Sequence, residues 1–374
     1  MNSLFRQDRI STGRFLVVGC GALGNEVLKN LALMGAGHVT LVDFDRVEAD
    51  NLSRSVLFTK ADIGQWKVDV AAAFLRRLHP AMEVETVRGD IAFDLGLGRV
   101  RKMDVAIGCV DNRWARYCLN RLCMRAGIPW VDGGIDALEG TVRVFIPGQN
   151  CYACNLGPEG LKDMARRLPC PGAIRRAEQA GKAPTISLIA SVIAAVQVQE
   201  ALKLLHPELL EEGRLTSLCG KMFYYEGERL STRVVDFRAY DPDCPVHDCW
   251  EPVRKTKVRA ETPVAQALHI IRKELEHSSV TLHLTGDCFV DAVLRKDNDA
   301  RREVLLPGRA VAAFVEKDRE LSAIPFSDLY QHEFREIDGD FPYPTLSLEQ
   351  LGIPAMDVLS VSTETEDLYL EMEG

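Results

Sequence analysis

The chain has 374 residues, a formal net charge of −9, 47% hydrophobic residues and 26% charged ones. That length exceeds one ordinary core, and the balance excludes a disordered or membrane-embedded class. An acidic chain without a Lys/Arg-rich cluster argues against nucleic acid as a partner and favours a protein or small molecule.

No apolar run approaches the roughly 20 residues of a bilayer span. The start, MNSLFRQDRIST, lacks the apolar core of a signal peptide, so a cytoplasmic protein without a membrane partner is expected. From Arg14 to Pro147 apolar runs alternate with helical patterns. Strands are predicted at Phe15–Val18, Val39–Val42, Val84–Val87, Val105–Val110 and Thr141–Ile146, with helices such as KVDVAAAFLRRLH between the earlier ones. Such alternation implies an α/β fold, a Rossmann-like doubly wound parallel sheet covered on both faces.

Residues 155–184, rich in Gly, Pro, Arg and Lys, read as a crossover loop, and TISLIASVIAAVQVQEALKLL as a long buried helix. Strand patterns KMFYYEG and RVVDFRAYD lead into CPVHDC, and the proline-flanked EPVRKTKVRAETP places a boundary near Pro252 to Pro263. Two domains are expected, 1–250 and 251–374. The second reads as small α+β: a helix in VAQALHIIRKELEH, strands in VTLHL and VLLPG, a short helix SLEQLGI, and strands DVLSV and DLYLEM.

FLVVGCGALGNEVLKNLALMG sets Gly19, Gly21 and Gly24 in GxGxxG spacing between strand and helix. The glycines permit a tight turn and close backbone approach, and the helix N-terminus attracts phosphate. Asp43 closes the next strand about 20 residues on, where a carboxylate binds ribose hydroxyls. By itself this reads as a dinucleotide dehydrogenase. The following loop departs from that reading, because Asp43, Asp45, Asn51, Arg54 and Lys67 crowd into it. Arg offers a planar fork and Lys a compact charge, a pair suited to a triphosphate. Strand DVAIGCV then ends in Asp111 and Asn112, where a carboxylate can hold Mg²⁺ beside phosphates.

Eleven cysteines in a long chain read as buried thiols, metal ligands or a nucleophile rather than disulfides. Cys151 and Cys154 form CxxC, and Cys244, His247 and Cys249 lie in CPVHDC; two such pairs have the spacing of a tetrahedral structural zinc site. The fourth ligand is either His247 or Cys249. Cys170 remains outside that set, between prolines and near Arg166, Arg167, Arg175 and Arg176, cations that favour thiolate. Cys20, Cys109, Cys118, Cys123, Cys219 and Cys288 lie in or beside apolar patterns and read as core or unassigned.

In order, GxGxxG, DxDxVxxxNLxR, DIGxxK, VDNxxxR and VDGGxxxxxGxVRVxxPG resemble the ThiF/MoeB/E1 superfamily of adenylating enzymes, through the first 250 residues. The resemblance looks strongest to the catalytic subunit of an E1 for a ubiquitin-like protein. It implies ATP and Mg²⁺ as cofactors, with Ala22 and Asp43 on adenosine, Asn51, Arg54 and Lys67 on phosphates, and Asp111 on Mg²⁺ with Asn112 beside it. Arg6 is similar to the arginine such enzymes lend across a dimer interface. Cys170 is similar to the thioester cysteine, although many E1 enzymes carry a large inserted domain where this chain has a short loop. YPTLSLEQLGIPAMDVLSVSTETEDLYLEMEG is similar to the end of an E1 ubiquitin-fold domain, implying a docking surface for an E2-like carrier. The implied substrate is the C-terminal glycine of a ubiquitin-like, β-grasp protein. The alternatives are a MoeB/ThiF-type sulfur-carrier adenylyltransferase without a thioester relay, and a non-catalytic E1-like scaffold.

Overall fold

The computed structural model describes residues 4–157, 159–162, 186–296 and 301–374. The first of two units comprises residues 4–92, 100–161 and 186–249; the second is built on 93–99 and 250–374.

The first unit opens with α1 (Gln7–Thr12), β1 (Arg14–Val18), α2 (Ala22–Met34) and β2 (His38–Asp43). Next come α3 (Lys67–Leu78), β3 (Glu83–Arg88), β4 (Val105–Gly108) and α5 (Arg113–Ala126), with a single turn α4 (Leu97–Val100), its first three residues in the second unit, before β4. It closes with β5 (Trp130–Asp136), β6 (Glu139–Phe145), α6 (Ser187–Leu204), β7 (Lys221–Glu226) and β8 (Ser231–Asp236). The strands form one sheet in the order β3-β2-β1-β4-β5-β6-β7-β8. Pairs from β3 through β5 are parallel and those from β5 through β8 antiparallel. Continuous apolar runs suit the parallel half, where strands are covered on both faces. Phe15, Leu16, Val17, Leu41, Ile107 and Val131 are accordingly fully buried, each burial worth roughly 1.5–3 kcal/mol.

The expected parallel sheet therefore holds for five strands of the eight. The Thr141–Ile146 run belongs to β6, which turns back antiparallel on β5, and β5 itself is a strand the apolar pattern hides. Its sequence, WVDGGID, carries Gly133 where α6 lies against the sheet, and α6 also covers Gly140 of β6; a Cβ at Gly134 would instead meet Thr141 Oγ1 at 2.9 Å. A Cβ at Gly133 would meet Gln197 at 2.4 Å, and one at Gly140 would meet Ile193 at 2.3 Å. Among the described residues, α6 is the one helix long and apolar enough, by length and composition, to cross a membrane. It packs on α2 and on β4, β5 and β6, with Ile189, Ile193 and Val198 buried in the main core.

The second unit holds β9 (Val253–Lys255), α7 (Val264–Leu275), β10 (Val280–His283), β11 (Phe289–Arg295) and β12 (Arg301–Pro307). It continues with α8 (Gly308–Lys317), β13 (Leu329–Phe334), β14 (Glu336–Ile337), β15 (Val358–Thr363) and β16 (Asp367–Glu371). A five-stranded sheet runs β14-β10-β15-β16-β9, and a separate three-stranded sheet runs β12-β11-β13. α7 buries Val264, Ala267, Leu268 and Ile271, the i, i+3, i+4, i+7 stripe of an amphipathic helix. SLEQLGI, expected as a short helix, instead forms hydrogen-bonded turns, Leu351 N–H to Ser347 O at 3.2 Å and Gly352 N–H to Glu349 O at 2.9 Å. Gly352 at φ +92° and Pro354 stop any helix from propagating.

The chain divides at Cys249/Trp250, but residues 93–99, expected in the first domain, belong with the second unit. Leu97 N–H donates to Asp357 Oδ1 at 2.7 Å, and Asp94 pairs with Arg309 at 3.1 Å. Gly96 passes so close that a Cβ would lie 2.4 Å from the carbonyl oxygen of Ala355.

Candidate nucleotide site and metal centre

The turn from β1 to α2 explains each of its glycines separately. Gly19 sits at φ +95°, and a Cβ there would lie 2.5 Å from the carbonyl oxygen of Cys109. A Cβ at Gly24 would come within 1.9 Å of the carbonyl oxygen of Gly19, so the helix can approach the turn only without one. Around Gly21 nothing lies within 4 Å of an added Cβ: that glycine borders open space, at the N-terminus of α2 where free N–H groups point outward. Ala22 is the first residue of α2. Buried Asn25 braces the turn, donating to Cys20 O at 2.8 Å and accepting from Leu57 N–H at 2.9 Å.

Asp43, the last residue of β2, spends both carboxylate oxygens on backbone. Oδ2 accepts from Cys20 N–H at 2.6 Å and Oδ1 from Asp45 N–H at 2.7 Å. Burial pushes its carboxyl up, with the Lys67 ammonium pulling the other way. Lys67 begins α3, is 8% exposed, and donates to Asp45 Oδ2 at 2.7 Å. Asn51 is buried in the 3₁₀ turn Ala49–Ser53, its Oδ1 accepting from Glu48 N–H at 3.0 Å. Arg54 follows that turn, with Nη1 donating to Asp50 O at 3.1 Å. Asp111 is exposed beyond β4, the strand beside β1. Asn112 caps α5 through Ala115 N–H at 2.8 Å and donates to Asp111 Oδ1 at 3.2 Å. Gly19, Gly21, Asp43, Asp45, Lys67 and Asp111 thus gather at the carboxyl ends of β1, β2 and β4, the ligand edge of an open parallel sheet.

Arg6 is engaged elsewhere in this chain: its exposed guanidinium pairs with Asp8 at 2.5 Å, and its N–H donates to His206 Nε2 at 3.0 Å.

Sequence reasoning passed over a charged cluster one strand further along. Asp132 on β5 is fully buried. Its Oδ1 accepts from Arg116 Nε at 2.9 Å and its Oδ2 from Arg143 Nε at 2.9 Å. Arg116 also donates to Gly133 O at 3.0 Å, and the Asp111 carboxylate lies near enough to favour its charged form. The signal was available: Arg116 closes VDNxxxR, and Asp132 and Arg143 both stand within VDGGxxxxxGxVRVxxPG.

A second centre lies at Cys151, Cys154, Cys244 and His247, whose ligand atoms all fall within 4.8 Å of one another. Cys151 Sγ stands 3.7 Å from Cys154 Sγ and 3.8 Å from Cys244 Sγ, and His247 Nε2 is 3.3 Å from Cys154 Sγ. A tetrahedral zinc with arms of about 2.3 Å to sulfur has sulfur–sulfur edges of about 3.8 Å, so this donor set fits that ion. The hydrogen bond from Cys244 holds the Cys151 thiol down at about 5, opposed by burial. His247 stacks on Tyr240 with ring centroids 4.6 Å apart. Of the two candidates for the fourth position, His247 is the one in the group. Cys249 is exposed with Sγ 4.0 Å from Arg125 O, on a segment that an Arg125–Asp248 pair holds aside.

Cys170 and Arg166, Arg167, Arg175 and Arg176 fall outside the described residues. Cys20, Cys109, Cys118, Cys123 and Cys288 are buried, and burial raises each thiol, Cys118 and Cys288 to about 12. Half-buried Cys219 donates to Gln149 Oε1 at 2.9 Å.

A glycine turn opening onto helix α2, with acidic and basic groups at the carboxyl edge of a mixed sheet, defines a Rossmann-like fold with a candidate nucleotide site. The chain belongs to the ThiF family, which matches residues 3–246. It is 35% identical over 240 residues to the SAMP-activating enzyme E1 of Haloferax volcanii, covering 64% of this chain and 82% of that protein. It is 34% identical over 241 residues to the adenylyltransferase and sulfurtransferase MOCS3 of Mus musculus, covering 64% of this chain and 48% of MOCS3. With the sulfur carrier protein adenylyltransferase of Thermus thermophilus, identity is 32% over 246 residues, 64% of this chain and 84% of that one. The match thus spans about half the length of MOCS3. Among solved structures, E. coli MccB with succinimide shares the fold at a TM-score of 0.52 and 23% identity, over 65% of this chain and 68% of that one.

Proposed function

We propose that the chain activates a ubiquitin-like, β-grasp protein in the manner of an E1. It is an ATP-dependent adenylyltransferase of the ThiF family. The tail carboxylate of the partner's last glycine attacks the α-phosphorus of ATP, the bond to the β-phosphate breaks, and pyrophosphate leaves an acyl-adenylate. Both reactants are anionic, so the chain's contribution is cationic screening and in-line positioning. Lys67 and Arg54 screen the phosphates, Asn51 fixes the turn between them, and Gly21 lets the backbone approach. Asp111, exposed beside Asn112, would hold Mg²⁺, which neutralises phosphate charge. Cys151, Cys154, Cys244 and His247 would hold zinc, which ties two distant chain segments together. The observation that carries the reading is the buried lysine of α3 set at the same sheet edge as the open side of Gly21.

Beyond adenylation, we assign Cys170 as the thiolate that displaces AMP from the acyl carbon, giving a thioester for transfer to an E2-like carrier. A homodimer places Arg6 of each subunit toward the ATP of the other. A sulfur-carrier adenylyltransferase without the relay is the second reading, and the relative named a sulfur carrier protein adenylyltransferase favours it. Pyrophosphate exchange with candidate β-grasp proteins tests adenylation: no exchange with any of them sinks both readings. Cys170→Ala then separates them. Loss of a thiol-reducible enzyme–partner adduct, with exchange intact, supports the relay, and an adduct that persists removes Cys170 from it. An absence of ATP binding would leave the scaffold.

A further inference from the structure

Tyr152 lies between two of the clustered thiols, Cys151 and Cys154, and its side chain leads from the metal centre to the sheet edge. It is 4% exposed, and the Arg143 guanidinium stands over its ring at 5.1 Å. Its N–H donates to Asn120 Oδ1 at 3.0 Å, the same oxygen that accepts from Trp130 Nε1 at 3.3 Å. Phe145 meets the ring edge-on at 6.3 Å. Arg143 is therefore fixed on two sides, by Tyr152 and by the buried Asp132 carboxylate, and that same carboxylate aims Arg116.

We propose that Tyr152 is a positioning residue that carries metal binding at Cys151 and Cys154 into the aim of Arg143 and, through Asp132, of Arg116. A ligated turn holds Cys151 and Cys154 at a fixed spacing, and the residue between them then has one place for its ring. Released from the metal, the turn relaxes and Arg143 loses one wall. Asp132 is too deeply buried to stay half-paired, so the second arginine must follow. The coupling rests on the metal reading above, and its bearing on catalysis rests on the adenylation reading as well.

Elemental analysis of the purified full chain comes first, because a protein isolated without zinc counts against the metal reading itself. With zinc bound, the Nε–H signals of Arg116 and Arg143 are followed by NMR during chelation and re-addition. Both should shift on zinc removal and return with zinc. Signals indifferent to the metal overturn the coupling. In Tyr152→Leu the arginine signals should no longer respond although zinc is still taken up; an unchanged response removes Tyr152 from the path. Coupling is reciprocal, so Arg143→Gln, outside the metal centre, should weaken zinc about fivefold or more in a chelator competition. That arm stands even where Tyr152→Leu fails to fold, and an unchanged zinc affinity overturns the proposal.

Discussion

The two halves of the eight-stranded sheet solve different problems. In the parallel half, β1, β2 and β4 are sealed on both faces, and the chemistry is confined to their carboxyl ends, where helix N-termini arrive. In the antiparallel half burial fades outward: β6 is partly buried, β7 half-buried, and every residue of β8 exposed. One half presents an open glycine turn and charged side chains at its carboxyl edge. The other leaves Val234 and Val235 in the open at 55% and 43% exposure. Asp132 and the metal centre stand where the two meet, on β5 and beyond β6.

The sharpest way to break the contrast lies within the glycine turn. Gly24→Ala drives a methyl into the backbone oxygen of Gly19, which cannot move aside. A loss of ~3 kcal/mol or more is expected, read in the thermal midpoint. Gly21→Ala meets nothing and sits at φ −73°, so the midpoint should hold while ATP affinity falls. If Gly21→Ala binds ATP as tightly as the parent, the open side of the turn is not where phosphate sits.

At the metal centre, Cys244→Ser should cost on the order of 3 kcal/mol and release zinc, because the ligand set closes segments far apart in the chain. Cys249→Ser should keep zinc and stability alike. Loss of zinc and of stability in Cys249→Ser would return Cys249 to the fourth position. Lys67→Ala should cost stability only modestly: half-exposed Asp45 rehydrates, while the buried Asp43 carboxylate keeps its two backbone donors but loses a favouring cation. Pyrophosphate exchange should nevertheless fall by on the order of 10²-fold, the scale for removing one group that stabilises transition-state charge. A fall under about threefold would take Lys67 off the phosphates.

How far the sequence could be read follows the same division. The parallel half announces itself in runs such as FLVV and HVTLVD, because strands covered on both faces need apolar residues at every position. In the candidate nucleotide site Asp43 and Asp111 were legible because each stands at or just past a strand end, and Asn51, Arg54 and Lys67 because they fall in short ordered motifs between β2 and the start of α3. WVDGGID was not, because its Gly133 answers to α6, a helix that begins about 50 residues later, and sequence spacing carries no record of that approach. Asp132 was hidden for a related reason: a buried carboxylate is intelligible only once Arg116 and Arg143 arrive from two other elements. His247 and Cys249 could not be separated by spacing; the Asp248–Arg125 pair between them decides which side chain turns inward. The helix expected at SLEQLGI failed on local grounds, with Gly352 and Pro354 cutting it to a turn.

The smallest effect on folding, and the one that speaks to partners, belongs to β8. Val234 pairs with Phe223 and, through Val142, shares the sheet face on which α6 lies. On that helix Leu188 and Val192 are also exposed, at 70% and 37%. Val235 pairs with Met222 on the opposite face. Both valines are open enough that aspartate there should change stability by no more than about 0.5 kcal/mol. Association separates them. Val234→Asp adds a charge to a face already carrying uncovered apolar residues from strand and helix, and should weaken self-association or partner binding by about tenfold, roughly 1.4 kcal/mol. Val235→Asp should leave both within twofold. Sedimentation of each variant, beside the partner-dependent KM of pyrophosphate exchange, reads the difference. If Val235→Asp proves the damaging one, the partner lies on the Met222 face, the one that also carries Arg143 and Asp132, and the uncovered helix side of the sheet serves something other than activation.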